Sequence, residues 1–216
     1  MSVRRQEILD DLAIYWEELR AGRLAPRRSD IDPGRFGPAL EHMFIVETVA
    51  GGPMRLRLAG AQLCDVLGME ARGMPAHTLF TEAARGRADD LLAEVLEHPA
   101  CIDLALIAQG EDEARIEGGM MLRPLADDFG GLTRILGCLV MDAAPFSGPL
   151  QMEIETIRID TLSERRRRHQ PMHGFAEAQA SFSGPHLRSV NGGSPRGADE
   201  RAPISRAHLR VVSSRD

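Results

Sequence analysis

MRLRLAGAQLCDVLGMEARG, residues 54–73, decides the fold. Met54, Leu56 and Leu58 alternate with Arg55 and Arg57, so an extended segment here has one apolar face and one face of guanidinium groups, the pattern of a half-buried strand. The strand stops at Ala59-Gly60, where a residue without Cβ permits a sharp turn. Leu63, Val66 and Leu67 then fall at helical spacing before Gly68 supplies a left-handed exit. The block therefore predicts a strand feeding a short helix that lies across a sheet.

Working outward, His42 to Val49 is apolar at most positions and rich in branched side chains, and Gly51-Gly52-Pro53 turns it into the Arg55 strand as a hairpin. Residues 69–80 hold Gly73 and Pro75 without a sustained period, which predicts irregular helical turns. Thr81 to His98 places Ala84, Ala88, Leu91, Leu92, Val95 and Leu96 on one stripe, a long amphipathic helix that Pro99 ends. Three strand-like runs follow, Cys101 to Gln109, Ala114 to Leu125 and Leu132 to Asp142, with Gly118-Gly119 a candidate bulge. The last is apolar on both faces, so it belongs in the middle of a sheet with a layer packed behind it.

Upstream, Ile8, Leu12, Tyr15 or Trp16, and Leu19 predict an amphipathic helix over residues 6–20 that ends near Gly22. Its stripe needs a partner, either the chain's own sheet or a second copy. Pro26 and Pro33 hold the next segment extended around Arg27, Arg28, Asp30 and Asp32, a stiff ion-paired connector. Asp32-Pro33 reads as an N-cap and first helical residue leading into residues 33–41.

The pattern AG-x-x-L-C-x-x-x-G at residues 59–68, followed by Arg72-Gly73, resembles the second strand and first crossing helix of a PAS domain. With Trp16, Leu19, Arg20 and the run Pro26 to Pro33, it is similar to a bacterial single-domain PAS family first catalogued as a domain of unknown function. The resemblance covers roughly residues 10–142. It implies an α+β PAS fold, with a five-stranded antiparallel sheet in the order 2-1-5-4-3, flanking helices and an N-terminal amphipathic helix. The expected organisation is an N-terminal helix and connector over residues 1–32, a PAS domain over 33–142 and a largely flexible extension over 143–216. In PAS proteins such a leading helix serves as a dimer or relay element, here through Leu12, Tyr15, Trp16 and Leu19. PAS pockets hold haem, flavin or small organic ligands, and the irregular wall would set His77 and Phe80 at the cavity or its rim. Arg57, on the polar face of the sheet, and Arg28 are further ligand candidates, since a guanidinium reads carboxylate or phosphate in a fork.

Charge narrows the partners. Residues 1–142 carry 15 arginines against 24 acids and residues 143–216 carry 11 against 8, so only the C-terminal part offers phosphates a positive surface. The PAS part is not expected to bind DNA. Cys64, Cys101 and Cys138 sit in apolar runs without a C-x-x-C pair, as small buried hydrophobes in a reducing compartment. No window reaches the roughly 18 apolar residues of a membrane span, and no signal-peptide core opens the chain, so the expected location is cytoplasmic.

Chemistry is sparse. The chain lacks a G-x-S-x-G elbow, a phosphate loop, H-E-x-x-H and a G-x-G-x-x-G after a strand. Paired acids such as Asp10-Asp11 and Asp127-Asp128 fit solvated surface. Cys64 in QLCDVL lacks the polar neighbours of a flavin-binding cysteine helix, and His77 and His98 are the imidazoles on offer to a haem. No cofactor is required by the sequence. Gln151 to Leu162 reads as one further strand or a short helix, and beyond it lie the run Arg165 to Arg168, a Ser-, Gly- and Pro-rich stretch and a strand-like HLRVVSS. The reading is a non-catalytic sensor or adaptor that acts through contacts with signalling proteins, in bacterial motility or cell-cycle regulation, and forms a homodimer through the N-terminal helix. Two alternatives stand beside it: a sensor gated by a small molecule or haem, and a scaffold with a basic nucleotide-binding tail.

Overall fold

The 54–73 block forms strand β2 (Gly52–Ala59) and helix α2 (Ala61–Leu67), in a computed structural model that describes residues 2–109, 115–142 and 149–164. Gly60 carries the turn because a Cβ there would collide with the backbone carbonyl of Glu41, and Gly68 exits the helix at φ +67°. The alternation of β2 is broken once. Strand β1 (Met43–Val49) pairs Ile45 with Leu58 and Val46 with Leu56, leaving Arg57 as an extra residue. The bulge turns Leu58 away from Leu56. Leu56 is fully buried, whereas Leu58, expected on the same face, is 43% exposed.

Four elements follow α2 as the sequence predicts: helix α3 (Glu82–Glu97), strand β3 (Ala100–Gln109), strand β4 (Arg115–Ala126) and strand β5 (Leu132–Met141). All strands pair antiparallel, and their order is β2-β1-β5-β4-β3-β6. The five-stranded order 2-1-5-4-3 is present, extended at the β3 edge by β6 (Met152–Thr161). This resolves the strand-or-helix alternative for Gln151 to Leu162. Ile154, Thr156, Ile157, Ile159 and Thr161 are branched at Cβ and suit a pleated edge better than a helix. β6 belongs to the sheet although the sequence placed it in the C-terminal extension. The rest of that extension, from residue 165 onward with the Arg165 to Arg168 run and HLRVVSS, lies outside the described residues.

The central strand is covered on both sides. On one face Ile135 and Leu139 join Phe44, Leu56, Leu104 and Met120 beneath α2 and α3. On the other, Leu136, Cys138 and Val140 meet Met121, Leu125 and a helix α1 (Val3–Arg20) that contributes Ile8, Leu12, Tyr15 and Trp16. The first helix is thus the cover of its own sheet. Gly118-Gly119 forms no bulge, since Ala105↔Gly119 and Gly119↔Val140 stay in register. Gly119 instead admits the helix: a Cβ there would lie 2.9 Å from Leu9 Cδ1.

α1 ends at Ala21 in the left-handed region, one residue before Gly22. Asp32 Oδ1 accepts a hydrogen bond from Gly34 N at 2.9 Å, the expected cap. The helix predicted over 33–41 is split into two 3-10 turns, Pro33–Arg35 and Gly37–His42, because Gly37 adopts φ +45°. Tyr15 ties the connector down, accepting from Asp32 N at 3.0 Å and meeting the Phe36 ring edge-on. Among the described residues, no helix is long and apolar enough to cross a membrane.

Candidate functional site

Two hollows flank the sheet, and their sizes decide what each can do. Inside, between the sheet and α3, Phe44, Phe80, Leu92, Leu104, Met120 and Leu122 close around a cavity of about 10 Å³. That is room for about one water, against roughly 300–1,000 Å³ for pockets that hold small ligands. The lining is wholly apolar, so even a water would find no polar partner there.

Outside, α1 spans only part of the sheet. A trench of about 1070 Å³ remains between α1 and β6, floored by β3 and β4. Its most unusual feature is three guanidinium groups that are almost fully buried, Arg5, Arg20 and Arg123. A buried cation is tolerated only when paired, and each is. Arg123 donates to the carbonyl oxygens of Ile102 and Leu122 at 3.0 Å each and to Asp103 Oδ1 at 2.7 Å. Arg5 Nη1 donates to Asp142, 137 residues further along the chain, at 2.8 Å. Arg20 Nε donates to Glu17 at 2.5 Å, Nη1 donates to the Arg23 carbonyl, and its guanidinium lies 5.7 Å from the Trp16 ring centroid. Trp16 Nε1 in turn donates to the Pro124 carbonyl at 3.0 Å, which pins the helix to the sheet.

The rim is charged as well, with Arg115 paired to Glu155 and Arg158 to Asp160. The lining as a whole holds Asp10, Glu17, Asp103, Glu117, Glu155 and Asp160 against Arg5, Arg20, Arg123 and Arg158. In this lining the acids outnumber the arginines by six to four. Cys101 lies on its floor, and burial pushes its thiol up to about 11 in spite of the nearby Arg123 charge.

The residues picked from sequence lie apart. Phe80 does line the interior cavity. His77 does not: its Nδ1 pairs with Asp89 Oδ2 of α3 at 2.9 Å. Arg57, from the β2 bulge, pairs with Glu47 at 2.6 Å, and Glu47 also takes Arg134 at 2.8 Å, so one carboxylate is shared between two cations. Arg28 is half-buried in a 3-10 turn, Arg28–Asp30, and its side chain makes no hydrogen bond or ion pair among the described residues. Of the four, His77 and Phe80 are joined by a backbone hydrogen bond, Phe80 N donating to the His77 carbonyl at 3.0 Å, and no side-chain hydrogen bond or ion pair among the described residues joins any two of them. Leu12, Tyr15 and Trp16 are buried against the chain's own sheet, with Leu19 partly buried beside them. Sequence reasoning passed over Arg5, Arg20 and Arg123. A lone Arg inside the apolar run Met120 to Leu125 was the available sign, since charge at such a position demands a buried partner. Among the described residues, no three His, Cys, Asp or Glu side chains stand close enough to share a metal ion.

Comparison with known proteins places this geometry. A family model described as PAS domain matches residues 4–140. No curated protein matches the chain. Among solved structures, a light-oxygen-voltage domain studied with a flavin analogue is similar at 14% identity, over 51% of this chain and 83% of that one, with a TM-score of 0.41. The light-state Aureochrome1 LOV domain is similar at 16% identity, over 49% and 84%, with a TM-score of 0.38. A Rhodobacter sphaeroides LOV protein is similar at 13% identity, over 52% and 69%, also with a TM-score of 0.38. At such identities and scores these likenesses carry nothing about function.

Proposed function

The chain belongs to the PAS domain family, and from that premise we propose that it is a non-catalytic signalling sensor or adaptor that works through the outer face of its sheet. The observation that carries the reading is the contrast between the closed interior and the open trench. A cavity of about 10 Å³ leaves a ligand nothing to enter, while a trench of about 1070 Å³ walled by α1 and β6 offers a partner protein shape and charge. Arg5, Arg20 and Arg123 are positioning residues here, holding α1, the floor strands and their carboxylates in a fixed relation. The partner that fits is a basic segment laid along the trench, competing with Arg115 and Arg158 for the exposed carboxylates of Glu155 and Asp160. Bacterial motility or cell-cycle circuits are the setting we infer for it, from the family resemblance alone. A small-molecule-gated mode would act through Phe80 and would first require the interior to open by more than a hundred cubic ångströms.

Site-specific photocrosslinking in the source organism tests this. A benzophenone side chain at Thr156, exposed on β6, should trap one adduct of defined mass, and the same group at Arg87, exposed on α3, should not. The same adducts from both positions, or none from Thr156, would remove the trench as the working surface.

A further inference from the structure

Leu9, Ala13 and Trp16 of α1 line the trench, whereas Leu12 and Tyr15, on another side of the helix, line a second hollow. This is a groove of about 490 Å³ between α1 and the 3-10 turns that follow Asp32, a volume within the roughly 300–1,000 Å³ of small-molecule sites. Its floor is apolar and buried, made by Leu12, Tyr15, Phe36 and Ala39. Its rim carries two arginines, Arg4 and Arg35, and two carboxylates, Glu7 and Asp11. All four are exposed, and among the described residues none of their side chains makes an ion pair or a hydrogen bond. Arg35 is held in place all the same. Its guanidinium lies 5.0 Å from the centroid of the Tyr15 ring. That ring is fixed in turn, because Tyr15 Oη accepts from Asp32 N at 3.0 Å and Phe36 meets it edge-on at 4.8 Å. No carboxylate occupies the N–H fork of Arg35, the group that reads a carboxylate through two parallel hydrogen bonds. Asp11 stands one turn before Tyr15 on α1, about 6 Å along the axis. The carboxylate and ammonium of a single α-amino acid bridge a span of this order when each is hydrogen-bonded at about 2.8 Å.

We propose that this groove binds a free α-amino acid with an apolar side chain, its carboxylate on Arg35, its ammonium on Asp11 and its side chain on the floor at Leu12, Phe36 and Ala39. The rim selects a zwitterion, because a simple anion would meet Glu7 and Asp11 and a simple cation would meet Arg4 and Arg35. Arg4 and Glu7 lie further along α1 and add no net charge. The groove is open to solvent, so the ligand exchanges freely and is lost on dilution. The site lies outside the closed interior and does not rest on the trench being the working surface, although α1 is a wall of both hollows.

Titration of the isotope-labelled full chain with L-leucine, followed by amide NMR shifts, tests the proposal. The shifts should saturate and centre on Tyr15 and on residues 33–39. N-acetyl-leucine lacks the ammonium, leucinamide the carboxylate and glycine the side chain, and each should bind about tenfold more weakly or worse. Arg35→Gln and Asp11→Asn, exposed substitutions whose folding is checked by their urea midpoints, should weaken L-leucine by the same order, and Arg87→Gln on α3 should not. The absence of a saturable shift with L-leucine, N-acetyl-leucine binding as tightly as leucine, or an Arg35→Gln variant that binds like the wild type would each overturn the proposal. None of these outcomes touches the crosslinking test of the trench.

Discussion

Thiol chemistry reports on burial one residue at a time. Cys138 is sealed between β1 and β4 under α1, and burial pushes its thiol up to about 12; Cys101 on the trench floor is pushed to about 11. At pH 8 the thiolate fraction at Cys101 is about one part in a thousand, so both sulfurs should resist a thiol-specific disulfide reagent in native protein. We expect at most one rapid equivalent, from Cys64, and three after unfolding in guanidinium. Asp30 gives a test of opposite kind. A hydrogen bond from Arg27 N holds its carboxyl below the ordinary range, with partial burial opposing and Arg23 assisting. With the folded pKa depressed, the stabilisation is present above the unfolded pKa near 3.9 and is lost as pH falls through the folded value. Asp30→Asn should therefore shrink the loss of stability over that acid window and leave its slope near neutrality unchanged. Cys138 and the Asp32 cap were legible in sequence, whereas Cys64 and Cys101, expected to be buried, are only partly so. The buried arginines were not legible, because the carboxylate that licenses Arg5 is 137 residues away.

At the scale of elements, α1 shows what periodicity leaves open. A stripe of Ile8, Leu12, Tyr15 and Trp16 says that one face is buried and is silent on what buries it. The structure puts the chain's own β4 and β5 there. Trp16→Ala should then cost about 3–5 kcal/mol of monomer stability in urea denaturation, a large part of the 5–15 kcal/mol typical of a domain. Trp16→Phe keeps most of the apolar area but abandons the Pro124 carbonyl, at about 1 kcal/mol. Were this face a dimer contact, the same substitutions would shift association and spare the monomer. β6 was hard to read for a different reason. Its alternation slips where the register with β3 shifts between Ala105 and Leu106, so Ile154 and Ile157 share a face at an interval no regular strand would give. Leu58 was misplaced by the same device in β2.

For the whole molecule, the order β2-β1-β5-β4-β3 followed from the resemblance to the PAS family, and the two apolar faces of β5 agreed with a central place; β1 and β4 are also apolar on both faces. The trench was not legible. It arises where an 18-residue helix covers part of a six-stranded sheet and stops short of its edge, a relation between distant segments that no local pattern encodes. Met120 fills the interior beside Phe44 and Phe80. The account stands on that closed interior, and native mass spectrometry of protein purified from its own source tests it most directly. The prediction is the bare polypeptide mass, or a whole multiple of it, with no visible absorbance and nothing released on denaturation. A stoichiometric adduct of several hundred daltons, lost only when the chain unfolds, would contradict it.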